Sequence, residues 1–382
     1  MTSTSTRAGR YVNQLQGYRA FIPAPLPPDP PLRIDSEMQG YLSRADRMLG
    51  RLDGSIQTLP DPDLFVFMYV RKEAVLSSQI EGTQSSLDDL LKVEAKVFDP
   101  NRPNDVDEVL NYVNAMNYGL YRLADLPVSV RLIREIHERL LKDVRGAERQ
   151  PGELRKTQNW IGPKGATLLD AAFIPPPPDE VPDALAKFEN FIHDEDQIPA
   201  LIKIGLAHAQ FETIHPFLDG NGRIGRLLVT FLLCEREILQ KPVLYLSHYF
   251  RRRRSQYYDL LQAIRDEGDW ESWILFFLEG VADVAKEATE TARQIVALRE
   301  SHRRLITENF GRVAGNGLKV LESLYSLPIA TVGKVAAITG VSFTAANQLV
   351  NRFVEYELLS EFTGQARNRR FRYNQYIGLF AD

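Results

Sequence analysis

Apolar residues recur along most of the chain at three- and four-residue steps, the spacing of helices that bury one face. Met38, Tyr41, Leu42, Ala45, Leu49 and Leu52 mark one such helix, and Asp61-Pro62-Asp63 caps a second that runs through Tyr69, Val70 and Val75. The pattern continues through Leu87, Leu90 and Leu91, through Val109, Tyr112 and Val113, and through Leu132, Ile133 and Ile136, with breaks at Pro100, Pro103 and Pro127. Residues 184–192 and 198–211 read as further apolar helices, and Leu227, Leu228, Phe231 and Leu232 as another. The predicted fold class is mainly α.

The departures from this pattern divide the chain. Residues 1–10 are polar and rich in Ser and Thr, which predicts disorder, and the prolines of 23–31 predict an extended arm along a surface. Residues 158–162 and 167–174 read as two short extended segments around Gly162, Pro163 and Gly165, followed by a proline run that excludes helix. Residues 281–306, rich in Ala, Glu and Arg, read as a helical connector. The expected division is an arm at 1–34, helical regions at 35–110 and 111–280, a connector at 281–310 and a final unit at 311–382.

The 46 Lys and Arg against 50 Asp and Glu leave a formal charge of −4, so no general attraction to nucleic acid or an acidic membrane follows. The one cysteine, Cys234, excludes an intrachain disulfide and falls within an apolar helical pattern. No apolar run approaches the ~20 residues of a membrane span. The expectation is a soluble, cytoplasmic protein.

Against that background, residues 215–226 stand out: His215-Pro216-Phe217-Leu218-Asp219-Gly220-Asn221-Gly222-Arg223-Ile224-Gly225-Arg226. The apolar helix that follows gives this segment a helix N-terminus, whose free N–H groups attract anions. Gly220 and Gly222 allow the backbone to curve into a nest for phosphate oxygens, and Asn221 adds a side-chain donor. Arg223 and Arg226 lie one turn apart, so both forks can reach one polyphosphate. Asp219 is a hard oxygen ligand suited to Mg2+, and a neutral His215 can take a proton from a hydroxyl. Together these residues point to phosphoryl or nucleotidyl transfer.

The segment resembles the signature of the Fic family, His-Pro-Phe-x-(Asp/Glu)-Gly-Asn-Gly-Arg-x-x-Arg, at every defined position. The resemblance implies a Fic-type helical core and transfer of AMP from ATP, with Mg2+, to a Ser, Thr or Tyr hydroxyl of a protein, releasing pyrophosphate. It makes His215 the base, Asp219 the metal ligand, Gly220, Asn221 and Gly222 the nest, and Arg223 and Arg226 the phosphate clamps. It also makes 158–174 a β-hairpin flap that holds the target segment. Removal of AMP, or transfer of another phosphate group, is the alternative within the family.

Upstream, Ser77-Ser78-Gln79-Ile80-Glu81-Gly82 resembles the inhibitory motif of Fic proteins, (Ser/Thr)-x-x-x-Glu-(Gly/Asn). That implies a brake in which Glu81 pairs with Arg226 and competes with phosphate for its fork. The segment also reads as a helix C-terminus capped by Gly82. Tyr257 and Tyr258 offer rings to stack on adenine, as in some Fic enzymes. His137 and His208 read as structural histidines.

From Gly317 the order helix, helix, tight turn, helix and two basic extended pieces is that of a winged helix. It would place Asn347, Asn351 and Arg352 on a recognition helix and Arg367, Arg369, Arg370 and Arg372 on a wing. A DNA-binding regulator with a sensing core is therefore the second reading of the chain. The partners expected are ATP, a protein target at the flap or the chain itself, a second copy of the chain, and DNA at 311–382.

Overall fold

The structure is a computed structural model that describes residues 5–57, 62–163, 165–195, 197–365 and 367–381, without the side chains of residues 5, 6, 64 and 65. It opens with a small antiparallel sheet of β1 (Ser5–Thr6), β2 (Gly9–Asn13) and β3 (Arg19–Pro23). The expected disorder is therefore corrected for residues 5–10, residues 1–4 lie outside the described ones, and residues 24–31 form neither helix nor strand. The strands owe their order to tertiary contacts that no local pattern announces. Phe21 is fully buried with Tyr11 edge-on to its ring at 5.0 Å, and Arg7 pairs with Glu271 at 2.8 Å.

Helices α1 (Ser36–Gln57), α2 (Pro62–Ile80), α3 (Leu87–Glu94), α4 (Val106–Arg122) and α5 (Val130–Leu140) follow, with the predicted apolar faces turned inward. Asp61, the expected cap of α2, lies outside the described residues. Ser86 caps α3 through a reciprocal box with Asp89, and Ser129 caps α5. After the flap come α6 (Val181–His193), α7 (Ala200–Ile214) and α8 (Asn221–Glu235). Nearly every residue of α7 and most of α8 are buried, so this pair forms the centre of the molecule.

Past α9 (Ser247–Arg252) and α10 (Arg254–Glu267) runs α11 (Trp270–Asn309), one unbroken helix. The expected boundary at 281 is corrected: α11 packs along α1, with Ala282, Ala285, Ala288 and Ala292 buried where small side chains let the helices approach. The connector is the C-terminal part of a core helix. The last unit holds α12 (Ala314–Ser326), β4 (Ile329–Ala330), α13 (Val332–Thr339), α14 (Phe343–Glu355), β5 (Ser360–Glu361), β6 (Phe371–Arg372) and α15 (Asn374–Gly378). Its three strands pair in the order β4-β6-β5.

This unit is not detached from the rest, because its Tyr376, Ile377 and Phe380 belong to the same continuous apolar core as α2. Its basic residues lie on α14 and about β5–β6 as expected, and several of them bind within the chain. Arg352 turns back to the carbonyl of Phe310 at 2.7 Å, while Arg372 and Arg370 reach Asp88 and the carbonyl of Lys96 at 2.9 and 3.1 Å. Among the described residues, no helix is long and apolar enough to cross a membrane.

Candidate functional site

The turn between α7 and α8 carries the signature residues. His215 ends α7 in the left-handed region, φ 50° and ψ 59°, and Gly220 begins α8 at φ 77°, a conformation that glycine adopts without strain. The first intrahelical bond of α8 runs from Ile224 N to Gly220 O, so the N–H groups of Asn221, Gly222 and Arg223 lie in the open first turn. An anion placed there meets the positive end of the helix.

A carboxylate already does so. Arg226 Nη2 donates to Glu81 Oε1 at 2.7 Å, and the same guanidinium donates from Nε to Ser77 Oγ at 2.8 Å and from Nη2 to the Ser77 carbonyl at 3.0 Å. A methyl group on Gly222 would collide with Glu81 Oε1, so the bare Cα is what admits the carboxylate. Burial pushes the Glu81 carboxyl up, but Arg226 and then Arg223 attract the charged form, and the net result lies below the usual carboxylate range. Gly82, at φ 99°, ends the turn after α2, so its capping role and its place in the motif coincide.

His215 is held from both sides. Its carbonyl accepts from Arg155 Nε at 2.9 Å, and its Nδ1 lies 3.3 Å from the Glu212 carbonyl. That contact puts the proton on Nδ1 and leaves the Nε2 lone pair to accept another. Burial, with Arg155 and Arg265 nearby, lowers its pKa to about 3, so the ring is neutral and already a base.

Two expected site residues face elsewhere. Asn221 is 2% exposed, its Oδ1 accepting from Phe217 N and its Nδ2 donating to Phe217 O, both at 2.8 Å. Its side chain therefore folds the turn, with Oδ1 and one Nδ2 hydrogen both spent on the Phe217 backbone. Tyr257 is 1% exposed, stacked on Phe250 at 4.6 Å and bonded to His208 Nε2 at 2.9 Å, so it is core and no adenine platform. Tyr258 beside it is 37% exposed.

The arginines also part company. Arg223 Nη1 lies 3.3 Å from Glu108 Oε2 and its Nη2 lies 3.7 Å from Asp219 Oδ1, whereas Arg226 belongs to the Ser77 and Glu81 side. The two forks here take different partners. Asp219 accepts from Gly220 N at 2.6 Å through Oδ1, and a methyl on Gly146 would come within 3.0 Å of its Oδ2. The glycine keeps that oxygen open. One open carboxylate fits Mg2+, which takes one or two protein carboxylates and completes its shell with phosphates and water. Among the described residues no cluster of three His, Cys, Asp or Glu stands ready for a metal, so phosphate oxygens would have to complete the shell.

Several residues outside the expected site hold this turn, among them His137, expected only as a structural histidine. His137 on α5 is fully buried, with Nε2 3.0 Å from the Asp219 carbonyl, Nδ1 accepting from Gly152 N at 2.8 Å, and its ring stacked on Phe217 at 3.7 Å. Arg155 and Asn159 grip the carbonyls of Ile214, His215 and Phe217 from the segment that leads into the flap. Arg265 lies over the Phe173 ring at 3.7 Å and donates to Thr213 Oγ1 at 3.3 Å, joining flap to turn. Helical periodicity could flag His137 as inward-facing, but nothing local in the sequence names its partners. His208 is structural, as expected, with Nδ1 2.9 Å from the Gly225 carbonyl. Cys234 is no nucleophile, since burial pushes its thiol up to about 12.

Among the described residues, the expected hairpin at 158–174 is closed by one bridge, Ile161 with Phe173. Ile174 packs on Tyr18 and Ala20, and Phe21 N donates to its carbonyl at 2.9 Å, so the N-terminal sheet supports the flap from below. Trp160 and Leu169 remain 42% and 76% exposed on it.

With this geometry in view, the comparisons bear on kinship. Residues 40–121 match the Fic/DOC family N-terminal region and residues 127–233 match the Fic/DOC family itself. Residues 40–233 thus carry the Fic/DOC family regions. It is 30% identical over 200 residues to a protein adenylyltransferase Fic of Drosophila grimshawi, covering 52% of this chain and 37% of that one. It is 31% identical over 181 residues to a probable protein adenylyltransferase of Aquifex aeolicus, covering 46% and 51%. The chain thus spans about half or less of the length of these curated relatives. A Fic family protein from Desulfovibrio desulfuricans G20 shares the fold, with a TM-score of 0.60 at 20% identity over 90% of this chain and 97% of that one. The likeness of fold thus extends past the Fic family matches into the C-terminal unit.

Proposed function

We propose that this protein is a self-inhibited adenylyltransferase that moves AMP from ATP to a Ser, Thr or Tyr hydroxyl of a protein. The observation that carries the reading is the Glu81–Arg226 pair lying over Gly222 at the N-terminus of α8, on the same turn as a neutral His215. A carboxylate held in an anion site beside a poised base is what a braked phosphate-transfer site requires. The names of the relatives support the choice of AMP as the group moved.

When Glu81 leaves, the open N–H groups of α8 and Arg226 receive the phosphates of ATP. Asp219, oriented by Arg223, Gly220 N and His137, would hold Mg2+, which supplies charge neutralisation on the phosphates. The flap, with Trp160 and Leu169 exposed, pairs with an extended target segment through its main chain. The target hydroxyl oxygen attacks the α-phosphorus, its proton passes to His215 Nε2, and the bond from the α-phosphorus to the bridging oxygen breaks to release pyrophosphate. The helix terminus and Arg226 stabilise the charge that gathers on the phosphates.

The test follows radiolabel from the α-phosphate of ATP into protein, for the parent, Glu81→Gly, and Glu81→Gly with His215→Ala. Label should rise in the single variant and fall by roughly 10²–10⁴-fold in the double. No label from Glu81→Gly, with lysate supplied as target, would overturn the reading.

A further inference from the structure

The C-terminal unit grips the segment that carries Glu81. Beyond Gly82 the chain turns into α3, and Arg372 on β6 pairs with Asp88 in the first turn of α3 at 2.9 Å. Just past α3, the Lys96 carbonyl accepts from Arg370 Nη2 at 3.1 Å. On α2, Tyr69 meets the Phe380 ring edge-on at 5.2 Å. A cleft of about 340 Å3 runs between the two, lined by Val75, Leu76 and Gln79 of α2 and by Arg372 and Ile377. The inhibitory segment is therefore held between the nucleotide site on one side and the C-terminal unit on the other.

The same unit has a second, outward feature. Between the start of α13, the start of α14 and the turn joining β5 to β6 lies a groove of about 650 Å3, lined by Phe343, Asn347, Arg367, Arg369 and Arg370. Arg369 Nη2 donates to Asn347 Oδ1 at 2.7 Å, which draws the β5–β6 turn against α14. Phe343 is 65% exposed at the mouth. In a chain of net charge −4, three arginines around one groove beside the start of α14 make a local site for the phosphate backbone of a nucleic acid.

Arg370 belongs to both features. It lines the groove and it holds the carbonyl after α3, with Arg372–Asp88 next along the strand.

We infer that this groove binds nucleic acid, and that its occupation is linked to the brake because backbone phosphates compete with the Lys96 carbonyl for Arg370. Loss of that contact loosens the α3 end of the inhibitory segment and shifts Glu81 away from Arg226. Linkage makes the effect mutual, so a weakened grip on α3 strengthens nucleic-acid binding. The linkage, unlike the groove, rests on the proposed AMP transfer.

The test uses the full chain and a fluorescent DNA duplex of mixed sequence, followed by anisotropy over a range of salt. The parent should bind at low salt, and Arg367→Ala with Arg369→Ala should bind more weakly with a salt slope smaller by about 2. Asp88→Ala should bind more tightly than the parent. No binding, equal binding by the arginine variant, or displacement by polyglutamate as readily as by unlabelled duplex would overturn the groove. Hydrogen exchange at residues 77–97 should quicken with duplex present, and AMP transfer by the parent should rise about five-fold or more. Unchanged exchange on binding, or unchanged transfer by a parent whose Glu81→Gly form is active, would overturn the linkage. If Glu81→Gly transfers nothing, the catalytic reading fails, while the anisotropy and exchange results still decide the groove and its grip.

Discussion

Glu81 Oε1 lies 2.7 Å from Nη2 of Arg226, and it occupies the space that a methyl group on Gly222 would fill. One glycine thus admits either the inhibitory carboxylate or a phosphate, and the two exclude each other. Glu81→Gln keeps the shape and removes the charge, so it should tighten ATP binding by about ten-fold, the worth of one hydrogen bond between charged groups. Titration calorimetry with ATP and Mg2+ checks this, and equal affinity in parent and variant would count against the brake.

The state of His215 can be read from a pH profile. Its pKa is lowered to about 3 by burial and by Arg155 and Arg265, so the neutral ring persists far into acid. In the Glu81→Gly background at saturating ATP, kcat should show no acid limb at the ordinary histidine value of about 6.5. A sigmoid centred there would contradict a desolvated base.

His137 should matter more than its place on an amphipathic helix suggests. His137→Ala removes a buried ring stacked on Phe217 and orphans Gly152 N, so unfolding in urea should show a loss of about 3 kcal/mol or more. His137→Phe should restore part of the stability through the stack. It should not restore activity, because the contact that orients the Asp219 carbonyl is still missing.

Asn221 is expected to behave as a turn-former. Asn221→Ala breaks both bonds to the Phe217 backbone and should cost about 1–3 kcal/mol in denaturant unfolding. A variant of parental stability that has lost ATP affinity would instead place Asn221 on the nucleotide.

The buried Glu212 sets a pH dependence of stability. Burial raises its pKa from 4.5 to about 7, with Arg226 opposing and Glu81 adding to the rise. The folded protein thus binds this proton more tightly than the unfolded chain. The contribution is full below pH 4.5 and is lost as pH rises through about 7. Glu73, raised to about 7 by burial, acts in the same direction. Glu212→Gln should therefore flatten the fall of melting temperature across that window, and an unchanged slope would show that Glu212 does not titrate there.

How much of this was legible in the chain depends on the range of the interaction. Helices α1, α2, α4, α5, α7 and α8 follow from apolar spacing, since a helix buries one face by a local repeat. The signature turn is equally local: a base, an acid and two glycines within the eight residues 215–222 determine a helix N-terminus and its chemistry. The brake motif was legible as a motif. Its pairing with Arg226 followed from the family resemblance and from no local pattern, because Ser77 and Glu81 stand far from Arg226 in sequence and meet it only when α2 packs against α8.

The strands β2 and β3 escaped notice because their order comes from Phe21 in the core and from the flap, not from their own composition. The run 281–306 was read as a connector because alanine and charge at helical spacing describe any long helix; only the packing of α11 along α1 makes it core. Asn221 and Tyr257 were given to the nucleotide because their chemistry suits it, yet each spends its polar atoms on neighbours inside the fold. The sequence by itself determined the helical class, the turn that gathers the reactive groups and the presence of an inhibitory glutamate. The tertiary structure alone decided which donors remain open to a ligand, which charges are already paired, and that the C-terminal unit holds the inhibitory segment. Those outcomes depend on contacts between residues far apart in the chain, and such contacts leave no periodic trace in either partner.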